Sequence, residues 1–297
     1  MNEDASHKAP AYSIVMPCYN EEEGLGMTVE HLYERLPDHG SFEIIIVNDG
    51  SSDRSGEILD DLTKKYPKLR AEHHQRNRGY GAALKTGIRA AHSDIIVITD
   101  ADGTYPNERI PDLVAAMDEA DMVVGSRTGA NVTYSKIRAI PKIFLRRYAS
   151  WISGRDIPDI NSGLRAFRKS VTEQFLGVLP DSFSFTTTIT VAFLTNYFRV
   201  RYVPIDYAVR KGKSKIKPIR DTLRFVQLIA RTGMYFAPLR VLFPFFAFAG
   251  LLFLASAIYD VFVVANITDK TVILFFLCVN IMIFGLLADM IDKRIGK

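Results

Sequence analysis

Residues 95–103 read Ile95-Ile96-Val97-Ile98-Thr99-Asp100-Ala101-Asp102-Gly103, an apolar run of strand character that stops at two carboxylates separated by one small residue. In an open α/β sheet, ligands bind beyond the carboxyl ends of the strands, so aspartates emerging there face a crevice rather than bulk solvent. Two hard oxygen ligands at such a point suit Mg2+ or Mn2+, which keeps waters and takes its remaining ligands from substrate phosphates. A polar turn bent by Gly103 accounts for the same residues, because Asp and Gly are common in loops. The surrounding chain has to discriminate between the two.

Upstream the strand–turn–helix theme repeats. Tyr12 to Met16 is an apolar run ending at Pro17, followed by Cys18-Tyr19-Asn20-Glu21-Glu22-Glu23 and a helical pattern through Leu25, Val29, Leu32 and Leu36. Phe42 to Val47 is a β-branched strand, and Asn48-Asp49-Gly50-Ser51-Ser52-Asp53 supplies turn and N-cap chemistry before a helix carrying Ile58, Leu59 and Leu62. Leu69 to His73 reads as a weaker strand and Gly79 to Ala91 as a helix rich in small residues. Downstream, Met122 to Arg127 reads as a strand ending at a basic residue, Ser135 to Trp151 as helical, and Asp159 to Arg168 as an irregular return. Strands alternating with helices predict right-handed βαβ units, a mainly parallel mixed sheet and an α/β fold.

The 297 residues carry a net charge of +4 and a pI near 8.9, with the basic excess concentrated between Arg199 and Arg240. That distribution points to an anionic surface beside that segment; no basic run with interleaved aromatics argues for nucleic acid. Cys18 and Cys278, the only cysteines, lie far apart and suggest neither a disulfide framework nor a metal motif. The segment MNEDASHKAPAYS has no apolar signal-peptide core, which predicts that the domain after it stays on the cytosolic side.

The last quarter is oily. Beyond Arg240 the only charge up to Ala265 is Asp260, and Val272 to Leu287 has none. Both segments approach the roughly 20 apolar residues that span a bilayer. Joined by Asn266 to Thr271 and flanked by Arg231, Arg240, Lys293, Arg294 and Lys297, they predict an integral membrane hairpin with both ends cytoplasmic. Buried helices of a soluble core are the competing reading. Residues 218–238, with Leu223, Phe225 and Val226 among Arg220, Arg224 and Arg231, read as interfacial amphipathic helices. The expected division is therefore 1–217, 218–238 and 239–297.

Three strand ends thus carry polar clusters: Tyr19-Asn20-Glu21, Asn48-Asp49-Gly50 and Asp100-Ala101-Asp102. Each alone fits an ordinary turn. As an ordered set they fit a nucleotide site, base and ribose on the first two and a metal-bound diphosphate on the third. His73 and His74 are adjacent in a strand, point to opposite faces and are given no role. Gly79-Tyr80-Gly81 fits either phosphate approach or close packing, and Ser184-Phe185-Thr186-Thr187-Thr188 either an acceptor-facing segment or a helix start.

The motifs MPCYNEEE, VNDGSSD, NRGYGAALKTGI, DADGTYP, VGSR, INSGLRAFRK and RKGKSKI, in that order, resemble the family 2 glycosyltransferases. Within that group the chain looks like the dolichyl-phosphate mannose synthases and bacterial polyprenyl-phosphate glycosyltransferases. The resemblance covers roughly residues 12–220 by motif and the hairpin by architecture. It implies a GT-A-like nucleotide-sugar-binding domain with Pro17, Tyr19, Glu21, Val47 and Asp49 in the nucleotide pocket. Asp100 and Asp102, with Ala101 between them, would hold Mg2+ or Mn2+ on the sugar-nucleotide diphosphate. Asn48 stands where the mannose synthases usually have an aspartate, and Thr104 where some have a metal-binding glutamine.

If the acceptor is a lipid phosphate, its oxygen is already anionic near neutral pH and no general base is needed. What is needed is positive charge. Arg127 can hold a phosphate bidentately, Arg138 and Lys142 would join it if the intervening segment folds back, and Arg210 and Lys215 could close over the donor diphosphate. A surface ion pair for Arg127, and membrane-surface attraction for 210–215, are the plainer alternatives. The expectation is a metal-dependent, inverting hexosyl transfer, of mannose or glucose, from GDP-mannose or UDP-glucose to dolichyl or undecaprenyl phosphate at the cytoplasmic membrane face. Asp100, Asp102 and Arg127 would be its catalytic residues. A polysaccharide synthase and a catalytically silent nucleotide-sugar scaffold are the rival readings, and a homo-oligomer is left open.

Overall fold

A computed structural model describes residues 10–36, 41–128, 146–207, 227 and 230–295, with side chains up to residue 291. The apolar runs become the strands β1 (Tyr12–Cys18), β2 (Phe42–Asn48), β3 (Leu69–His73) and β4 (Ile95–Ile98). Between them lie the helices α1 (Leu25–Arg35), α2 (Ser55–Lys65) and α3 (Tyr80–Ala90). These strands pair in parallel in the order β3-β2-β1-β4. β1 and β2 are buried almost throughout, which is why they read as continuous apolar runs rather than alternating ones.

Beyond β4 come α4 (Ile110–Ala115), β5 (Met122–Ser126), β6 (Arg165–Arg168), α5 (Lys169–Glu173), α6 (Phe185–Thr195) and β7 (Val200–Pro204). They extend the sheet to β3-β2-β1-β4-β6-β5-β7. The stretch expected as an irregular return therefore ends in a central strand. β6 is only four residues long, and two of them are arginines, so no apolar run announces it. β7 was not foreseen either: it is an edge strand, carries Arg201 and ends in Pro204, a residue tolerated where no ladder bond is required. β5 stops at Ser126, so Arg127 is the first residue past the strand rather than its last.

β6 runs antiparallel to both neighbours. Arg165, its first residue, faces Ile98 of β4 and Val124 of β5, while Gly125 N donates to Leu164 O at 2.9 Å. Residues 159–164 thus enter the sheet at the carboxyl ends of β4 and β5. Two apolar layers cover the sheet: Ile14, Ile44 and Ile46 meet α1 and α2, whereas Val15, Ile45 and Val47 meet α3 and α6. Gly87 sets how closely α3 lies, since a Cβ there would be 2.3 Å from Val15 Cγ1 and 3.3 Å from Val47 Cγ2.

The oily quarter forms α7 (Pro238–Tyr259), a π-helical turn at Asp260–Val264, and α8 (Asp269–Ile295). Pro238–Val264 and Asp269–Ile291 are long and apolar enough to cross a membrane, and only 17% of the most apolar stretch of each is buried inside the protein, which disfavours a soluble core. The base of α7 is seated on the α/β domain: Arg240 Nη1 donates to Ile152 O at 2.7 Å, and Phe236 and Val241 join the core. At the far end Asp260 Oδ2 accepts from Thr268 N at 2.7 Å, Thr268 Oγ1 at 2.6 Å and Thr271 Oγ1 at 2.7 Å, closing the hairpin around the first turn of α8. Of the expected interfacial segment, residues 230–236 are helical and 218–226, 228 and 229 lie outside the described residues.

Replacing Gly87 by Val overpacks the α3–sheet contact and is expected to lower stability by about 1–3 kcal/mol. Thermal unfolding of the detergent-solubilised protein reads this directly. An unchanged midpoint would contradict the close contact.

Candidate active site

The ends of β1 and β2 are sewn together by short polar side chains. Asn20 N donates to Ser51 Oγ at 3.0 Å and Ser52 N donates back to Asn20 Oδ1 at 2.8 Å. Glu21 N donates to Ser55 Oγ at 2.9 Å, Glu22 N to Asp53 Oδ2 at 3.3 Å, and Arg54 N to Glu22 Oε2 at 3.1 Å. These bonds satisfy turn amides that have no ladder partner and fix two adjacent strand ends as one rim. Pro17 and Glu21 are half-buried there, Val47 is buried and Tyr19 is exposed. Cys18 is buried beneath the rim, where burial pushes its thiol up to about 12, so it is not a nucleophile at neutral pH.

Asp49, expected in the nucleotide pocket, is buried and heavily bonded. Its carboxylate accepts from Arg78 N at 2.9 Å and Gly79 N at 2.8 Å, and His74 Nδ1 lies 2.7 Å away. The turn before α3 is therefore pinned by Asp49. His74 belongs to this network, with Nε2 2.9 Å from Thr86 Oγ1, while His73 turns the other way toward Asn48 and Asp60. The glycines of Gly79-Tyr80-Gly81 answer to packing: a Cβ on Gly79 or Gly81 would lie 2.3 Å from Asp181 O or 2.1 Å from Pro180 O. Asp181 O also accepts from Gly81 N at 2.9 Å, so the start of α3 is capped by chain.

Past β4, the two aspartates are held in different ways. Tyr80 OH donates to Asp100 Oδ1 at 3.1 Å, and burial, reinforced by that carboxylate, holds the Tyr80 phenol well above its ordinary range. Asp102 Oδ1 accepts from Thr104 N at 3.1 Å and Thr104 Oγ1 at 2.7 Å. Thr104 thus orients Asp102 from within its own turn. Ala101 is buried, and its carbonyl accepts from Thr28 Oγ1 of α1 at 3.0 Å. Among the described residues no third His, Cys, Asp or Glu completes a metal-ligating cluster. Two carboxylates are a hard-oxygen donor set of the kind that Mg2+ or Mn2+ takes alongside waters and substrate phosphate.

The loop before β6 closes the remaining side. Gly163 N donates to Tyr105 OH at 2.6 Å, and a Cβ on Gly163 would lie 3.0 and 3.2 Å from the two Asp100 oxygens. Asp159 receives Arg127 in a fork: Nε to Oδ2 at 2.7 Å and Nη2 to Oδ1 at 2.9 Å, with Arg127 N also on Oδ2 at 3.0 Å. Arg127 is therefore neither a lone cation nor a surface pair, because both side chains are largely buried. Its guanidinium also lies over Tyr207, 5.3 Å from the ring centre. Burial pushes the Asp159 carboxyl upward, but the hydrogen bonds and charge of Arg127 reverse this and leave it below its ordinary 3.8. Arg138, Lys142, Arg210 and Lys215 lie outside the described residues.

Comparison with known proteins fits this geometry. Residues 13–176 match the family described as Glycosyl transferase family 2. The chain belongs to that family. Residues 237–293 match the GtrB C-terminal hairpin. The dolichol-phosphate mannosyltransferase of Pyrococcus furiosus is 33% identical over 216 residues, 69% of this chain and 59% of that enzyme, so this glycosyltransferase spans less than two thirds of that relative. The polyprenol monophosphomannose synthase of Mycolicibacterium smegmatis is 32% identical over 68% of this chain and 80% of its own length. Among solved structures, glucosyl-3-phosphoglycerate synthase from Mycobacterium tuberculosis, bound to UDP, superposes with a TM-score of 0.56 at 17% identity, covering 75% of this chain and 80% of that one. S. aureus TarS with UDP-GlcNAc gives 0.54 at 19%, covering 74% and 66%. At such identities these likenesses show the fold, which is GT-A-like.

Residues to which the sequence reading gave no definite role do much of the positioning. Tyr80 and Gly163 lie against Asp100, Tyr105 holds Gly163, Asp159 holds Arg127 and Arg165 holds the Ser162 carbonyl, and each lies inside or beside a motif quoted for the resemblance. Of the loop before β6 only Asn161-Ser162-Gly163, within the motif INSGLRAFRK, carried a visible signal, and it did not say what those residues touch.

Asp49→Asn places an NH2 where a carboxylate oxygen now accepts a backbone N–H. We expect a loss of roughly 1–3 kcal/mol, with faster hydrogen exchange at Arg78 and Gly79. For Asp159 the sign follows from a folded pKa below the unfolded one: its stabilisation is present above the ordinary value and lost as pH falls through the lower, folded one. Acid titration of stability should therefore flatten below pH ~4 in Asp159→Asn relative to the parent chain.

Proposed function

We propose that this glycosyltransferase moves a hexose, mannose or glucose, from a nucleotide sugar to a polyprenyl phosphate at the cytoplasmic face of a membrane, with inversion. The observation that carries the reading is the meeting of a carboxylate pair and a buried arginine at one sheet edge, in a chain whose C-terminal helices are fit to span a bilayer. The names of the relatives supply the acceptor class: dolichol, polyprenol and, in a Photorhabdus laumondii relative 32% identical over 77% of this chain, undecaprenyl phosphate.

In this reading the rim of Pro17, Tyr19, Glu21 and Val47 receives the nucleoside, backed by Asp49, which fixes the rim to α3. GDP-mannose and UDP-glucose are the first donors to try. Asp100 and Asp102 would hold Mg2+ or Mn2+, which would supply charge stabilisation to the departing diphosphate. Thr104 and Tyr80 fix the rotamers of those aspartates. Arg127, joined by Arg138 and Lys142, neutralises the acceptor phosphate, and Arg210 and Lys215 cover the donor diphosphate. A phosphate oxygen attacks the anomeric carbon from the face opposite the diphosphate; that C–O bond forms as the bond to the nucleotide breaks, and the electron pair leaves with the nucleoside diphosphate. No proton has to be removed from the nucleophile, so no base is assigned. The hairpin holds the domain against the bilayer from which the acceptor comes, with both chain ends on the cytoplasmic side.

Membranes carrying the protein, given radiolabelled GDP-mannose, UDP-glucose or UDP-N-acetyl sugars with polyprenyl phosphate and Mn2+, should place label in the organic extract with one of these donors. Asp102→Ala should abolish that label while the purified variant keeps its unfolding midpoint. Retained turnover in Asp102→Ala, or label confined to water-soluble products, would sink the reading.

A further inference from the structure

We infer that the loop 159–163 positions both halves of the site separately: Asp159 orients Arg127 toward the acceptor phosphate, and Gly163 sets the place of the Asp100 carboxylate. The inference rests on the acceptor assignment above for its first half and only on the donor side for its second.

Asp159 takes three donors from Arg127 alone, and its Oδ1 also accepts from Asn161 N at 3.1 Å. The fork fixes the plane of the guanidinium, and the bond to Arg127 N fixes the backbone that carries it. A carboxylate so placed does not meet an anionic substrate itself. Its contribution is to hold the cation, which makes Asp159 a positioning residue. The loop is stiffened from below: Asn161 Oδ1 accepts from Thr187 Oγ1 at 2.5 Å, and the carbonyl of Ser162 accepts from the buried Arg165 guanidinium, with Nε at 3.1 Å.

Gly163 works by contact rather than charge. Its missing side chain leaves just enough room for both Asp100 oxygens and for Tyr105 Cε2, which a Cβ would approach to 3.1 Å. Tyr105 OH receives Gly163 N, so the loop cannot retreat without losing that bond. An added methyl group makes the Asp100 carboxylate or the Tyr105 ring give way by a few tenths of an ångström.

Each half has its own readout. In Asp159→Asn the KM for polyprenyl phosphate should rise by roughly ten- to a hundredfold, while Mn2+ affinity in the presence of UDP or GDP, read as free Mn2+ by electron paramagnetic resonance, stays at the parent value. In Gly163→Ala the Mn2+ affinity should fall by roughly ten- to a hundredfold with little change in acceptor KM. Asp159 acting through Arg127 also requires Asp159→Asn and Arg127→Lys to be non-additive in acceptor KM. Should Asp159→Asn fail to fold, Asp159→Glu keeps the charge and displaces the fork by one methylene, and the same rise in acceptor KM is expected. Additive effects, or a fall in kcat alone in both variants, would overturn the inference. If the parent chain makes no lipid-linked product, the acceptor reading and the Asp159 half fall together. The Mn2+ titration then still decides the Gly163 half.

Discussion

One antiparallel strand organises the site. Had β6 run parallel to its neighbours, its entry loop would lie at the amino ends of β4 and β5, remote from both Asp100 and Arg127. Because it runs the other way, Arg165 stands opposite Ile98 and Val124, and the residues just before it are delivered to the carboxyl edge. Ligands of open α/β sheets bind at that edge. The loop then fills the gap between two strand ends that are not hydrogen-bonded to each other, touching Asp100 with Gly163 and Arg127 with Asp159.

Keeping such a loop rigid requires a buried charge. Arg165 is fully buried, and burial lowers its pKa from the ordinary value. Among the described residues no carboxylate lies within ion-pair distance of it. Its donors go instead to the carbonyl of Ser162, to Thr186 O at 3.0 Å and to Thr190 Oγ1 at 2.9 Å. A buried guanidinium is costly unless nearly every N–H is bonded, so it tolerates few alternative placements of the loop and of α6. Stiffness at the site thus comes from a polar network rather than from apolar burial, and part of that network consists of threonines that the sequence reading left between two meanings.

β1, β2 and β4 were legible because each is buried on a scale that its own residues announce, whereas β3, Leu69-Arg70-Ala71-Glu72-His73 and only partly buried, read as a weaker strand. β6 was not, since it is short, starts and ends in arginine, and is a strand only because two neighbours lend it a ladder. The hairpin was legible from length alone. Asp100 and Asp102 could be read as a pair because their spacing is local. The Asp159–Arg127 fork could not, because it spans 32 residues and depends on the direction of β6, which no local pattern records. For the same reason Asp49 could be read as a candidate for the nucleotide pocket but not as the group that pins the start of α3. A carboxylate's role depends on which amides face it, and Arg78 and Gly79 are brought there only by the packing of α3.

The charge of the site bears on what it can accept. Beside the loop before β6, Asp100, Asp102 and Asp159 are acidic and Arg127 and Arg165 are basic, so this part of the edge leans negative. A sugar nucleotide and a lipid phosphate would each add negative charge to it. Arg127 is already partly neutralised by Asp159, and Arg165 is buried beneath the loop, so neither supplies the missing charge in full. Under the proposed reading the deficit falls to a divalent cation at the aspartates and to the basic residues that flank the membrane segment. The two sources act on different substrates. A cation bound with the donor lowers repulsion at the diphosphate, whereas lysines and arginines beside the bilayer concentrate and orient an anionic headgroup. The cation thus offsets the charge of the donor's own diphosphate, and the acceptor phosphate is left to the basic residues.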